Sequence, residues 1–337
     1  MIVDLRSDTV TRPSEAMLQA MIRAPLGDDV LGDDPSVRAL EEVSALRAGK
    51  QAGLFVPSGT MGNQIAIRVH TRPGDEVLCH EGSHPFNYEA GGAAVIAGVQ
   101  LRPMPGERGL LDPAVVLAHI RSEDPHHAPA TLLAVEDTCN RGGGTVHPVR
   151  LLHALADAAH GRGLATHMDG ARVFNAVVAS GVPLAERVAG FDSLTFCLSK
   201  GLGCPVGSVL CGSNDFIHTA RRVRKMLGGG MRQAGVLAAA GLYALEHNVD
   251  RLADDHRRAM RLSRGLQSVG YSVVEPETNM VYVTDLADPQ ALVDAVADHG
   301  VLCFAVSSSR VRLVVHLDVL DEGIDATLGA FTEHAPH

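Results

Sequence analysis

Short apolar runs alternate along the chain with longer segments in which apolar residues recur at helical spacing. That alternation marks βα units and a mainly parallel sheet. It predicts strands at 52–57, 76–80, 93–97, 131–135, 164–168 and 194–198, and helices at 61–70 and 151–160. A run at 206–211 follows its predecessor after a tight turn, so it is expected to lie antiparallel to it. Within 233–247, Ala234, Leu237, Ala238, Gly241, Leu242 and Leu245 fall on one helical face. Small residues there allow another backbone to come close.

Beyond that helix the pattern changes. A charged amphipathic helix at 250–269 precedes short strands at 273–274, 280–284, 302–306 and 311–315, with a helix at 289–299. This is an α+β unit large enough to be a second domain. The boundary is placed near His247–Arg251, dividing the chain into a large domain at 1–248 and a small one at 249–337.

The 337 residues are 46% hydrophobic and 20% charged, with a formal charge of −10. The balance is that of a globular enzyme, and it disfavours nucleic acid or an anionic membrane as the main partner. A nucleic-acid reading would rest on the basic RRVRK segment alone. The six cysteines stand singly with no CxxC, and His126-His127 lacks metal-site spacing, so neither a disulfide scaffold nor a metal is expected. The charged first residues are not followed by an apolar core, and no long uncharged apolar run occurs. A cytoplasmic enzyme without a signal peptide or membrane span is therefore the expectation.

Three unusual residue groups stand at expected strand ends, where open α/β sheets bind ligands. Ser58-Gly59-Thr60 combines a turn, free N–H groups and the positive end of a helix, which suits a phosphate. By itself it also reads as an ordinary helix cap by Ser58. Asp169, in HMDGAR, is placed to hold a ring nitrogen protonated, or to pair with Arg172 on a helix surface. Lys200 closes the apolar run SLTFCLSK, where a lysine either leaves the core for water or offers an amine to a carbonyl. Together the three describe pyridoxal 5'-phosphate (PLP): phosphate at Gly59 and Thr60, ring nitrogen at Asp169, aldehyde at Lys200.

The stretches LRSDTVTRPSEAM, GDDVLGDDPSV, PSGTMGNQ, HPFNYEAGG, HMDGARVFNA, LSKGLGCPVGS, RKMLGGGMRQAG and RLVVHLD span nearly the whole chain. In them the sequence resembles the low-specificity L-threonine aldolases, PLP-dependent enzymes of the aspartate-aminotransferase-like fold. The resemblance implies retro-aldol cleavage of L-threonine, L-allo-threonine and related β-hydroxy-α-amino acids to glycine and an aldehyde. It implies Lys200 as the Schiff-base lysine, Asp169 as the ring-nitrogen partner and His84 as a residue stacked on the ring. Ser7, Arg172 and Arg312 would hold the substrate carboxylate, which a planar guanidinium can grip at two points. His126 would face the substrate hydroxyl, Tyr88 would line the same pocket, and Lys225 would be a further polar residue that a neighbouring subunit could supply. The base is His126 or His84, directly or through water. Arg310 stands two residues before Arg312, and the ungapped RLVVHLD favours Arg312 as the clamp. A homotetramer with shared sites is implied as well. The rivals are another PLP reaction on the same scaffold, such as β-elimination or transamination, and a non-catalytic PLP-binding protein.

Overall fold

The computed structural model describes residues 1–336. Seven strands form its main sheet: β1 (Ala52–Val56), β2 (Glu76–His80), β3 (Gln100–Met104), β4 (Ala130–Glu136), β5 (Ala165–Asp169), β6 (Ser193–Cys197) and β7 (Ser208–Gly212). Their order is β1-β7-β6-β5-β4-β2-β3. β7 alone runs antiparallel to the other six strands, as the tight turn before it predicts. Every residue of β2, β6 and β7 is buried, as a sheet covered on both faces requires. Adjacent residues divide between the faces: Phe55 packs with Met168 and Phe196, whereas Leu54 packs with Ile65, Leu210 and Ile217.

The strand expected at 93–97 does not form. Ala93–Ala97 is a π-helical turn closed by Gly98 in the left-handed region (φ 73°), and the edge strand is β3 instead. The reason lies in the spacing of burial. Ala93 and Ala97, four residues apart, are buried, while Val95 between them is 84% exposed. An uninterrupted apolar run suits either a strand or a helix, and here packing against Ile67 and Val77 selects the helical period.

The carboxyl-terminal part carries a second, antiparallel sheet of β8 (Ser272–Val274), β9 (Met280–Thr284), β10 (Phe304–Ser307) and β11 (Arg310–Val314), in the order β10-β11-β9-β8. Helices Leu252–Ser268, Pro289–Asp298 and Asp321–Glu333 accompany it. The strand expected at 302–306 is split: Phe304–Ser307 joins this sheet, while Val301–Leu302 pairs in parallel with Val3–Asp4. The amino terminus is thereby stitched to the carboxyl-terminal part. Leu5 N–H donates to Leu302 O (2.7 Å), Leu5 O accepts from Val314 N–H (2.8 Å), and Leu5 lies buried with Leu313 and Phe331. The next residues, Ser7 and Asp8, reach the carboxyl edge of the main sheet, where the unusual polar groups collect.

Candidate active site

Glu136 and Asp169 end the neighbouring parallel strands β4 and β5 and face each other in register. Both are buried. Burial and the adjacent Asp169 charge push the Glu136 carboxyl up to about 7. Its two oxygens nonetheless accept backbone N–H groups, from His84 at 2.7 Å and Asn140 at 2.8 Å. Asp169 is held from two sides: Ala171 N–H donates to Oδ1 (3.1 Å) and the Asn63 amide donates to Oδ2 (2.7 Å).

The same amide nitrogen also reaches Glu89 Oε1 at 2.8 Å. Glu89 is buried and accepts from Gln64 Nε2 as well. On its far side it meets His84 Nδ1 at 2.8 Å. Burial opposes a charge on His84, but the hydrogen bond to Glu89 and the charges of Asp169 and Glu89 outweigh it and raise the imidazole pKa. With Nδ1 committed to Glu89, Nε2 is the ring nitrogen left for a ligand. Tyr88 stands beside His84, ring centroids 5.5 Å apart, and the Arg141 guanidinium lies 5.7 Å from the Tyr88 centroid.

Lys200 follows β6 as expected and is half-buried. Its backbone carbonyl is fixed by the Thr11 hydroxyl at 2.9 Å, while Nζ donates to nothing among the described residues. Arg172 is buried, and Asp8 grips it by two bonds, to Nε (2.7 Å) and Nη2 (2.6 Å). Although burial opposes the charge, Arg172 together with the nearby Lys200 brings the Asp8 carboxyl down to about 2. Arg312 donates to Asn140 Oδ1 (3.0 Å) and Arg6 O (3.1 Å), and its buried Nε has no partner. Ser7, His84, Tyr88, Arg172, Lys200 and Arg312 all line one cleft of about 500 Å³. Arg310 is exposed and does not line it.

Two residues expected at the site are not brought there by the single chain. The His126 side chain is 89% exposed and bonded to Asp124. Lys225 lines a different groove, with Asp29, Arg38 and Arg221, which shares no residue with the cleft. Conversely, Asp8, Asn63, Glu89 and Asn140 hold the site together without having been singled out in the sequence. The first two lie inside LRSDTV and PSGTMGNQ, and Glu89 inside HPFNYEAGG, so the motifs contained them while their roles depended on distant partners.

The residues fit the pyridoxal phosphate expected from the sequence. Ser58 caps the helix Gly59–His70 by accepting from Met61 N–H (3.1 Å), and the first-turn N–H groups of Gly59 and Thr60 have no intrahelical acceptor. The buried Ser208 hydroxyl lacks a partner and lies 3.6 Å from where a Cβ on Gly59 would stand. Asn63, one turn further along this helix, touches Asp169, so the phosphate-type donors and the carboxylate share one sheet edge.

This architecture is the aspartate-aminotransferase-like fold of PLP-dependent enzymes, and its chemistry class is that of the lyases: the Beta-eliminating lyase family matches residues 4–286. A low specificity L-threonine aldolase of Escherichia coli K12 is 47% identical over 95% of this chain and 96% of its own length. Low-specificity L-threonine aldolase 1 of Arabidopsis thaliana is 44% identical over 98% and 96%. The chain belongs to the low-specificity L-threonine aldolase family. Among solved structures, Leishmania major threonine aldolase superposes with a TM-score of 0.84 at 19% identity, covering 98% of both chains. Serine palmitoyltransferase of Sphingomonas wittichii gives 0.78 at 18% identity, covering 99% of this chain and 89% of that one, a likeness of fold alone.

The Asp8–Arg172 pair predicts an acid-labile share of stability. The folded pKa of Asp8 lies below its ordinary value, so the pair stabilises above about pH 4, and the gain is lost as pH falls toward 2. It amounts to roughly 2–3 kcal/mol. Asp8→Asn leaves Arg172 buried without its counter-ion and should cost about 3–5 kcal/mol at pH 6. In urea unfolding, the gap between wild type and variant should narrow from pH 6 to pH 3. A constant gap would show that Asp8 does not carry this charge interaction.

Proposed function

We propose that the protein cleaves L-threonine, L-allo-threonine and related β-hydroxy-α-amino acids to glycine and an aldehyde, using PLP. The observation that carries this reading is the meeting of Lys200, His84, Arg172 and Arg312 in one cleft, beside Asp169, in a chain of this family. When bound, PLP supplies a Schiff-base electron sink for the pair released from the breaking Cα–Cβ bond. Lys200 would contribute the amine that holds its aldehyde, Asp169 would face its ring nitrogen, and Gly59 and Thr60 would receive its phosphate.

His84 Nε2 would accept the hydroxyl proton of the substrate, since Nδ1 is bonded to Glu89. Glu89 supports that role by raising the imidazole's basicity. Arg312, with an unpaired Nε at the cleft, would bind the substrate carboxylate together with Ser7. Arg172 would join them through Nη1, because Asp8 takes its other two nitrogens. A fixed carboxylate sets which bond at Cα stands perpendicular to the ring, so the clamp selects the reaction as well as the substrate. Tyr88 would close the aldehyde side of the pocket.

We further propose a homotetramer in which His126 and Lys225 complete sites on neighbouring subunits. The exposed apolar side chains of Ile22, Leu31 and Leu46 support this assembly, since such residues are commonly covered by a partner. Six buried, unpaired cysteines suit a reducing compartment, the cytoplasm. The domain limits 1–248 and 249–337 are proposed with the Val3–Asp4 strand crossing to the smaller unit.

With L-threonine, glycine and acetaldehyde should form in equal amounts; 2-oxobutanoate and ammonia would instead indicate elimination. Borohydride reduction followed by peptide mass spectrometry should place the cofactor on Lys200, and Lys200→Ala should abolish that adduct. Attachment to another lysine would overturn the assignment. Arg312→Ala should lower kcat/KM at least about tenfold, because a desolvated carboxylate loses its partner. Arg310→Ala, at an exposed position, should change it only a few-fold. The reverse order would move the clamp to Arg310. Light scattering should give four chains per particle, and an active monomer would refute shared sites.

A further inference from the structure

Asn63 connects two buried carboxylates to an interior chain of polar side chains that the reaction described above does not use. Its amide nitrogen has two hydrogens, and both are committed, to Asp169 Oδ2 (2.7 Å) and Glu89 Oε1 (2.8 Å). The Asn63 oxygen must then accept, and its partner is His167 Nε2 at 3.1 Å. The opposite amide orientation would aim an oxygen at two carboxylates. His167 is fully buried on β5, and burial brings its pKa down to about 3, so the ring is neutral with a single N–H. That hydrogen is on Nε2, which leaves Nδ1 to accept from the Ser193 hydroxyl (2.8 Å), the residue opposite it on β6. The Ser193 oxygen accepts in turn from His70 Nε2 (2.8 Å), whose ring stacks on Phe216 at 4.6 Å.

Every link therefore has one donor and one acceptor, and no member can turn over without breaking the next bond. The direction runs from His70 to Ser193, His167, Asn63 and then the carboxylates. A set of buried polar groups needing only partners could be satisfied in many ways; this one is polarised toward Asp169 and Glu89. We propose that Asn63, His167 and Ser193 are positioning residues whose one-way hydrogen-bond chain orients Asp169 toward the cofactor ring and Glu89 toward His84. None of the three lines the cleft, so each acts through another residue. The inference rests on the proposed PLP-dependent reaction.

The holoenzyme carrying Asn63→Leu, His167→Phe, His167→Gln or Ser193→Ala tests it. Three quantities are read: the position and pH midpoint of the cofactor's visible absorbance, kcat and KM for L-threonine, and the thermal midpoint. Asn63→Leu and His167→Phe should move the absorbance midpoint and lower kcat about tenfold or more, with KM within about threefold, the scale of a lost hydrogen bond to a charged group. His167→Gln retains a donor near the Nε2 position and should restore most of both. Ser193→Ala removes only a hydroxyl, so it reports even where the larger changes impair folding; its shifts should be smaller and in the same direction. A folded Ser193→Ala or His167→Phe enzyme with wild-type absorbance and kcat, and only a lower thermal midpoint, would overturn the proposal. The absorbance readout keeps the two ideas separate. A wild type that binds the cofactor but releases no glycine from threonine defeats the proposed reaction, while the midpoint shifts still decide the chain.

Discussion

Two carboxyl groups end adjacent parallel strands side by side, and the site is organised around keeping that arrangement tolerable. At this separation in a dry interior, like charges repel strongly. Glu136 answers by holding its proton more tightly and by collecting two backbone N–H groups. Asp169 answers through Asn63, which shares its amide hydrogens with a third carboxylate, Glu89, and through Glu89 with His84. Positive charges line the cleft: Arg172, paired with Asp8, and Arg312, anchored to Asn140 and the Arg6 carbonyl. The cleft lining thus carries the cationic side chains of Arg172, Lys200 and Arg312, while Glu89, Glu136 and Asp169 are buried and take no part in that lining.

Much of this was legible in the chain before folding. Lys200 and Asp169 announce themselves because each is a charged residue placed where an apolar run stops, and such positions coincide with the ligand-binding edge of an α/β sheet. The antiparallel β7 followed from the shortness of the turn before it. What was not legible depends on contacts between remote segments. Asp8 reads as an ordinary acidic residue near a terminus until it meets Arg172. Asn63 and His167 look like a helix residue and a strand residue of no distinction until β5 is laid beside the helix Gly59–His70. The run Ala93–Ala97 was misread because its composition suits two periods equally, and only the neighbours Ile67 and Val77 decide between them.

The histidines show how far residue type alone misleads. His84, His126 and His167 are chemically identical in sequence, yet one is a half-buried ring with a raised pKa, one stands in solvent beside Asp124, and one is a neutral interior donor. Environment assigns their chemistry: the charge beside His84 favours protonation, and complete burial of His167 opposes it.

The strand Val3–Asp4 has a consequence for the order in which the molecule is completed. Its partner, Val301–Leu302, leaves the ribosome long after Val3, with the whole main sheet made in between. Until then the opening residues have no edge to join, and closing so long a loop is entropically costly and slow. The main sheet, with Lys200 and Asp169, draws on residues 52–212 alone, whereas Asp8, which meets Arg172, lies three residues beyond the Leu5 stitch to Val314. A nascent chain therefore exposes the segment around Leu5 until residues nearly three hundred positions later have been made.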